Sequence, residues 1–251
     1  MMKNIVHTLV LCLLFVAACT PTKIFIADER VSYHRMKTAD TLTGDPSVEK
    51  LIAPYRSKLE VTMNEVIGQA AQELTHATPE GLMGNWAADL IHRQTEAIYG
   101  KKIDFTLLNQ SGLRIKSIAK GDVTRSKMYE LMPFDNQITV LQGSGADVEK
   151  LFQTVVAKGG WPISHATCEI HPMPDAPLAK NIRIGGEPLQ QEKIYTFALP
   201  DYIANGGDNT QLSGLKRTDL NKLMRDAFIE GVQKEKILDA KLEGRIIVVN
   251  H

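Results

Sequence analysis

The sequence predicts an α+β domain in which helices pack against a mixed sheet. Segments with helical and strand periodicity follow one another irregularly, whereas a doubly wound sheet requires a strict alternation of strand and helix. A hydrophobic content of 43% and a charged content of 23% are ordinary for a globular chain. The chain contains no internal repeat and no low-complexity tract. These observations favour one compact mixed domain.

Four segments carry a helical signal: residues 48–55, 78–100, 146–157 and 218–232. The second is the clearest, because Thr78 is a good N-cap, Pro79 suits the first helical position and Gly100 can end the helix. Ser144 is expected to cap the third helix, with Asp147 in the first turn. The last helix is predicted to begin at a capping threonine.

Six segments carry a strand signal: residues 59–67, 104–109, 138–142, 181–189, 194–199 and 245–249. The first alternates Leu59, Val61 and Met63, which is typical of a half-buried strand. The fourth enters a Gly-Gly turn. Together with the helices, they predict the mixed sheet.

The N-terminus is expected to be a targeting segment. Lys3 precedes an apolar run from Ile5 to Val16, which is too short to cross a bilayer as a permanent helix but suits a signal peptide. The ending Val-Ala-Ala-Cys resembles the bacterial lipobox, in which the cysteine sulfur carries diacylglycerol; the alternative is an ordinary signal peptide with a chance cysteine. We therefore expect a signal peptide over residues 1–18, a tether over 19–46 from lipidated Cys19, and a domain over 47–251.

This organisation predicts an exported protein anchored in the bacterial cell envelope, with the outer membrane favoured because Thr20 follows Cys19. Cys12 would leave with the signal peptide, so Cys168 would be the one free thiol and no internal disulfide could form. The formal net charge is zero and no long run of one sign occurs, which argues against nucleic acid as a partner.

Ligand-type residues concentrate in three short loops: residues 109–114, 133–136 and 201–208. In the first, Asn109 follows a predicted strand and Arg114 offers a planar fork for phosphate or hydroxyl oxygens. In the second, Phe134 can stack on a heterocycle, while the amide of Asn136 both donates and accepts hydrogen bonds.

The third loop adds a second aromatic residue, Tyr202, and a Gly-Gly turn that presents the carboxylate of Asp208. Each loop alone also fits an ordinary turn, a surface ion pair or a core aromatic. Together they offer two aromatic rings for stacking, an amide that can hydrogen-bond the edge of a base, a guanidinium for a phosphate and a carboxylate that can accept from ribose hydroxyls. Stacking on an aromatic side chain contributes about 1–3 kcal/mol per base, so a purine between two rings would gain most of its affinity there.

These motifs occur in a recognisable order: Asn-x-x-Gly-x-Arg, then Pro-Phe-x-Asn, then aromatic-x-Ala-x-Gly-Gly-Asp. The set resembles the C-terminal domain of 5'-nucleotidases, and so do the segments Ile-Gly-Gly-Glu-Pro-Leu and Met-Gly-Asn-Trp-Ala-Ala-Asp. The resemblance covers roughly residues 55–249. It implies the mixed α+β fold of that domain and a nucleotide or nucleoside ligand, with a purine favoured.

The resemblance also implies roles at the matching positions. Phe134 and Tyr202 are expected to sandwich the base, with Asn109 and Asn136 near its edge. Arg114 is expected to meet the ribose or the phosphate.

Asp208 is expected to hold the ribose hydroxyls, and Gly160 falls near a loop that lines the pocket in the family. Two departures stand out. Tyr202 replaces the common phenylalanine and still stacks. The stretch 75–82 lacks the arginine that family members often carry there, which leaves a nucleoside ligand or a vestigial pocket open.

In the family, chemistry belongs to an N-terminal metallophosphatase domain whose two metals clamp the attacking and leaving oxygens. The ligand motifs Asp-x-His and Gly-Asn-His are absent from this chain. We therefore expect no catalytic residue and no metal or other cofactor here, and a separate metallophosphatase chain as partner. The alternatives are an envelope scaffold with a vestigial pocket and, less favoured, a hydrolase acting alone.

The segment from His165 to His171 contains two histidines, Cys168 and Glu169, all possible metal ligands. In a strand, Cys168 would point away from the other three, which spoils a four-ligand site. We interpret the segment as a solvated strand edge.

Overall fold

The computed structural model describes residues 44–249. The predicted signal peptide, Cys19 and nearly all of the tether lie outside the described residues, so they stay predictions. The chain divides into two units between Glu49 and Lys50, and the described helices and strands belong to the second unit, apart from the first residues of one helix. No helix within residues 44–249 has the length and apolar character that crossing a bilayer requires.

The described chain forms helices α1 Pro46–Met63, α2 Leu82–Tyr99, α3 Arg125–Leu131, α4 Gly145–Ala157, α5 Asp201–Ala204 and α6 Met224–Glu235. Its first seven strands are β1 Val66–Ala70, β2 Leu74–Thr75, β3 Phe105–Leu107, β4 Ser117–Ile118, β5 Gly121–Thr124, β6 Gln137–Ser144 and β7 Ile163–Ser164. The others are β8 Ala166–His171, β9 Leu178–Ile184, β10 Glu187–Pro188, β11 Ile194–Pro200, β12 Lys216–Leu223, β13 Ile237–Leu238 and β14 Ile246–Val248. Gln110–Gly112 and Gly207–Asn209 form single 3-10 turns.

A five-stranded sheet in the order β12-β6-β11-β3-β7 is the centre of the domain. Its strand β11 runs parallel to β3 and antiparallel to β6, so the sheet is mixed. A four-stranded sheet β10-β9-β8-β14, a three-stranded sheet β13-β1-β5 and the pair β2-β4 complete the structure. The predicted α+β fold with a mixed sheet is confirmed.

Two hydrophobic clusters lie on the two faces of the central sheet, because successive side chains of a strand point to opposite sides. Val140 and Ala198 belong to the cluster shared with α2, α3 and α6. Leu141 and Phe197 belong to the cluster shared with α4, β8 and β9. In the second cluster, the rings of Phe105 and Phe197 stack at a centroid distance of 4.8 Å. Full burial of one such side chain contributes about 1.5–3 kcal/mol.

The predicted cap at the start of α4 and the predicted end of α2 are confirmed. The hydroxyl of Ser144 accepts from the N–H of Asp147 at 3.3 Å, and Ser144 N–H donates to the Asp147 carboxylate at 3.0 Å. The Ser144 hydrogen bonds are also the main reason why the pKa of Asp147 lies below its usual value. Gly100 ends α2 in the left-handed conformation, as expected.

The prediction of a strand over residues 59–67 is wrong. Residues 46–63 form the single helix α1, which also extends the short helix expected at 48–55, and β1 starts only at Val66. Leu59 and Val61 are exposed on α1. Their alternation therefore does not reflect a strand with one buried face, and the helical signal upstream continues through it.

Two predicted helix starts are also wrong. Helix α2 begins at Leu82, with Gly81 at the N-cap position, rather than at Thr78-Pro79. Residues 216–223 form strand β12, and α6 starts at Met224. Pairing of β12 with β6, where Thr218 lies opposite Val140, overrides the local capping signal.

Candidate functional site

Three loops meet at one edge of the central sheet, and the strand directions explain why. Strands β3 and β11 are parallel, so the residues after both strands emerge at the same edge. Strand β6 is antiparallel to β11, with Ile138 opposite Pro200, so the segment before β6 reaches that edge too. The loops at 109–114, 133–136 and 201–208 are thereby brought together.

The loops enclose a cavity of about 340 Å³, lined by Asn109, Ser111, Gly112, Arg114, Phe134, Asn136 and Tyr202. Five of the six residues expected to bind a ligand therefore share one cavity. Ser111 and Gly112 join them, and a Ser-Gly pair after a strand end suits a close approach of the backbone to a ligand.

The two aromatic residues of the cavity keep much of their surface open to solvent. Phe134 is 41% exposed and Tyr202 is 45% exposed, whereas Phe105 and Phe197 are fully buried. Exposed rings in a concave site with polar neighbours are typical of ligand pockets, in which apolar surface gives affinity and polar groups give orientation.

Asn109 is buried and only partly satisfied. Its Nδ2 donates to the hydroxyl of Ser111 at 2.9 Å. Its Oδ1 is buried and has no hydrogen-bond partner among the described residues. An unpaired buried acceptor costs about 1–3 kcal/mol, so a donor brought by a ligand would recover part of that cost.

Arg114 stands at the rim of the cavity. Its backbone N–H donates to the carbonyl oxygen of Leu131 at 2.9 Å, and its Nη1 donates to the carbonyl oxygen of Ser111 at 3.2 Å. Its guanidinium carbon lies 5.6 Å from the centroid of the Phe134 ring, within the range of a cation–π contact. The guanidinium keeps further N–H donors for an oxygen-rich ligand.

Asp208 does not line this cavity. It lines a neighbouring cavity of about 480 Å³, which shares Ser111 and Arg114 with the first. Asp208 adopts a left-handed backbone conformation with φ 55° in the turn after Gly206. The expected set is thus divided between two adjoining cavities, with Arg114 common to both.

The turn after α5 buttresses the ring of Tyr202. A Cβ atom on Gly207 would lie 2.5 Å from Cε1 and 2.6 Å from Cζ of that ring. Real Cβ atoms do not approach so closely, so glycine is required for the turn to pack against the ring. The Gly-Gly pair of the motif therefore positions an aromatic face as well as a carboxylate.

Helix α6 holds the loop that carries Phe134. The N–H of Met224 donates to the carbonyl oxygen of Asn136 at 2.8 Å. Arg225 donates from Nη2 to the carboxylate of Asp135 at 2.8 Å and from Nη1 to the carbonyl oxygen of Phe134 at 3.4 Å. Sequence reasoning missed Arg225, because the long separation along the chain conceals the contact.

A second network braces the loop that carries Tyr202. Thr139 donates its hydroxyl to the carboxylate of Asp219 at 2.7 Å, and Arg217 binds the same carboxylate at 2.8 Å. Arg217 also donates to the side-chain oxygen of Asn205 at 2.6 Å. The Thr139 hydroxyl, and next the Arg217 guanidinium, hold the pKa of Asp219 below its usual value.

The family-like residues of α2 hold the C-terminal segment in place. Asn85 donates to the carboxylate of Glu80 at 2.6 Å and to the carbonyl oxygen of Lys241 at 2.8 Å. Arg245 forms a bidentate pair with Asp89, at 2.8 and 2.7 Å. Glu80 also accepts from the backbone N–H of Gly244 at 2.9 Å.

Gly160 itself lines neither cavity, but it lies between Lys158 and Trp161, which both line the second one, so its segment lies near the pocket as expected. Gly160 lies against Pro79, whose carbonyl oxygen would be 2.6 Å from a Cβ at that position.

The interpretation of residues 165–171 as a strand edge is wrong. Strand β8 pairs with β9 on one side and β14 on the other. His165 precedes β8 and stacks on His92 at a centroid distance of 3.9 Å, while His171 binds Glu169 at 2.8 Å. Within residues 44–249, no group of three or more histidine, cysteine, aspartate or glutamate side chains is placed to hold a metal ion.

Comparisons with known proteins point to one family. The family model described as "5'-nucleotidase, C-terminal domain" matches residues 63–214. Protein UshA of Yersinia enterocolitica is 26% identical over 84% of this chain, and the 5'-nucleotidase of Homo sapiens is 24% identical over 82% of it. A solved 5'-nucleotidase precursor from Thermus thermophilus matches 82% of this chain with a TM-score of 0.73 and 25% identity.

The match covers only part of these proteins. This chain spans 38% of the Yersinia protein, 41% of the human protein and 43% of the Thermus chain. The fold similarity therefore concerns a domain of the larger proteins.

Proposed function

Because this chain belongs to the family of 5'-nucleotidase C-terminal domains, we propose that it recognises a nucleotide or nucleoside in the cavity between its three loops. The observation that carries the proposal is that Asn109, Arg114, Phe134, Asn136 and Tyr202 line one cavity. These residues come from separate parts of the chain and supply the chemistry that a flat, polar-edged heterocycle requires.

In this proposal, the rings of Phe134 and Tyr202 stack on the base. Each stacking contact contributes about 1–3 kcal/mol. The unpaired Oδ1 of Asn109 accepts a hydrogen bond from an amino or hydroxyl group of the ligand. The amide of Asn136 forms hydrogen bonds with another part of the edge of the base. Arg114 lies where the ribose or its substituent would leave the aromatic cavity, and Asp208 takes the ribose hydroxyls beyond it.

Catalysis in this proposal belongs to a separate metallophosphatase chain that holds two metals. The chain would then supply the substrate-binding half of a two-part nucleotide hydrolase. The absence of the ligand motifs Asp-x-His and Gly-Asn-His from the residues of this sequence supports this division of labour. Phosphate release from AMP by the purified single chain, abolished by a chelator, would contradict it.

We further propose that diacylglycerol on Cys19 anchors the protein in the cell envelope. The support is the Val-Ala-Ala-Cys sequence at the end of an apolar run. Metabolic labelling with a radioactive fatty acid should mark the wild-type protein and leave the Cys19→Ser variant unlabelled. Equal labelling of both would exclude the anchor.

Isothermal titration with adenosine and AMP tests the binding proposal. Wild-type protein should release heat with at least one of them, and the double variant Phe134→Ala/Tyr202→Ala should weaken binding at least about tenfold, since each lost ring removes about 1–3 kcal/mol. Tyr55→Ala is the matched control, because Tyr55 is an exposed aromatic of α1 outside the cavity. Absence of heat with every nucleoside and nucleotide tried would remove the proposal.

Helix α1 favours a second candidate, an envelope interaction protein that uses the fold as a scaffold. None of its residues is buried, and Leu51, Tyr55, Leu59 and Val61 are between 57% and 78% exposed. Exposed apolar residues that recur along one helix are a typical partner-binding surface. If Phe134→Ala/Tyr202→Ala complements a deletion strain fully while Leu51→Ser/Leu59→Ser does not, this candidate replaces the first.

A further inference from the structure

The second cavity is markedly basic. It is lined by His76, Gln110, Ser111, Leu113, Arg114, Ile115, Lys116, Lys158, Trp161 and Asp208. Three permanent cations face one carboxylate, that of Asp208, among these lining residues. A concave basic surface attracts anions more strongly than the same charges on a convex surface, because its low-dielectric walls focus the electric field.

Two of these cations lack a counter-charge. Within residues 44–249, neither Lys116 nor Lys158 forms an ion pair with a carboxylate within 4.0 Å. Several arginines outside the two cavities, in contrast, are paired: Arg93 with Glu235, Arg125 with Glu65, Arg217 with Asp219, Arg225 with Asp135 and Arg245 with Asp89. The lysines of the second cavity are therefore available to an anion that enters it.

The fold holds these groups on separate elements around the cavity. The backbone N–H of His76 donates to the carbonyl oxygen of Lys116 at 2.8 Å, next to the pairing of β2 with β4. Lys158 follows α4, where its N–H donates to the carbonyl oxygen of Thr154 at 3.2 Å. The Nε2 of His76, which also lines the cavity, is buried and has no partner among the described residues.

We propose that Lys116 and Lys158 bind the anionic group of a ligand whose ring occupies the aromatic cavity. This rests on the proposed function and narrows it, since the ligand is then a nucleotide and not an uncharged nucleoside. Ser111 and Arg114 line both cavities, so one molecule can extend from the aromatic rings to the lysines. The two lysines supply the charge that the arginine-free stretch 75–82 does not supply.

The chemistry of lysine predicts that this subsite recognises the charge of the ligand. An ammonium group on a flexible stem acts as a point charge, whereas an arginine fork fits the geometry of one phosphate group. Affinity should therefore rise with ligand charge, in the order adenosine, AMP, ADP. The gain should shrink with added salt, because ions screen a partly exposed site.

Titration calorimetry of the full chain with adenosine, AMP and ADP at low and high salt tests the proposal. For wild type, we expect AMP to bind at least about tenfold more tightly than adenosine at low salt, since charge-assisted hydrogen bonds contribute about 1.5–3 kcal/mol each. The variant Lys116→Ala/Lys158→Ala should lose this advantage and keep its affinity for adenosine. Lys116→Arg/Lys158→Arg should retain most of it.

Lys180→Ala/Lys234→Ala is the matched control, because it removes two lysines that line neither cavity. Equal affinities of the wild type for adenosine and AMP would overturn the subsite and leave the proposed function standing. Equal weakening of both ligands by the alanine pair would also overturn it. Failure of the wild type to bind either ligand would remove the proposed function and the subsite together.

Discussion

The aromatic cavity and the region around the start of α2 both carry family-like motif residues, yet they differ in how their polar groups are used. Around α2, Asn85, Asp89 and Arg245 are all engaged within the protein. At the cavity, Phe134 is exposed and the Oδ1 of Asn109 has no partner among the described residues. Motif residues whose polar groups are satisfied hold the chain together, whereas the proposed function assigns the ligand to those left open.

The largest expected effect in this comparison is on stability at the α2 region. Asp89→Ala leaves the guanidinium of Arg245, which is only 9% exposed, without its bidentate partner. We expect a loss of about 3 kcal/mol in the free energy of unfolding, since two hydrogen bonds between charged groups are lost while Glu243 remains bound to the guanidinium. Urea unfolding followed by circular dichroism measures the loss.

The double variant Asp89→Leu/Arg245→Met is the control, because it removes both charges. It should recover most of the lost stability. The folded Asp89→Ala variant should bind the ligand as tightly as the wild type. A loss of binding free energy as large as the loss in the free energy of unfolding would place this region in the binding site.

A second effect is a pH dependence of stability that arises from the buried His92 of α2. Burial, and then the neighbouring His165, lower the pKa of His92 from 6.5 to about 4. In the unfolded chain the imidazole takes up a proton near pH 6.5, whereas the folded chain does so only near pH 4. The contribution of the neutral His92 to the free energy of unfolding is therefore complete above pH 6.5. It falls as the pH drops from 6.5 to about 4, by about 3 kcal/mol in total.

Urea unfolding at about pH 7, 6, 5 and 4 checks this dependence. The other charged groups around His92 are Glu96, Asp89 and Lys102. His92→Gln should flatten the slope between pH 6.5 and 4. The carboxylates with lowered pKa values titrate below pH 4.5, so their contribution is lost at lower pH. An unchanged slope in the variant would show that another group is responsible.

A third effect should fall on binding. Gly207→Ala places a Cβ 2.5 Å from the ring and 2.6 Å from the backbone oxygen of Tyr202, so the ring and the backbone of the turn must both shift. We expect adenosine or AMP to bind roughly tenfold more weakly, as the loss of about one stacking contact would produce. Titration calorimetry measures this change.

Gly206→Ala separates this effect from backbone strain. Gly206 has φ 92°, but a Cβ there would meet only Thr210, at 3.6 Å. This neighbouring variant should lose about 1 kcal/mol of stability from the unfavourable φ and keep its affinity. Equal loss of affinity in both variants would show that the turn, and not the ring of Tyr202, matters for binding.

The smallest effect concerns Cys168. Burial, and then the charge of Glu169, raise the pKa of its thiol to about 12, so almost no thiolate exists at neutral pH. Iodoacetamide at mildly alkaline pH, followed by peptide mass spectrometry, should leave Cys168 unmodified in folded protein and alkylate it in urea. Rapid alkylation of the folded protein would show that the β8 region opens far more readily than its pairing suggests.

Some features followed from the sequence because the residues that decide them are neighbours in the chain. The capping box of α4, the left-handed end of α2 and the strand that enters Gly185-Gly186 depend on a few adjacent residues. The ordered motifs also predicted the aromatic cavity, since each loop follows or precedes a strand of the central sheet.

Other features were decided by contacts between distant parts of the chain. Pairing with β6 makes residues 216–223 a strand, and contacts of Glu80 with residues 243–245 occupy the turn where a helix start was predicted. The place of Asp208 outside the aromatic cavity, and the cavity that Lys116 and Lys158 both line, likewise depend on residues far apart in the sequence. Sequence patterns report local conformational preference, whereas the free energy of long-range pairing and burial depends on which distant residues meet.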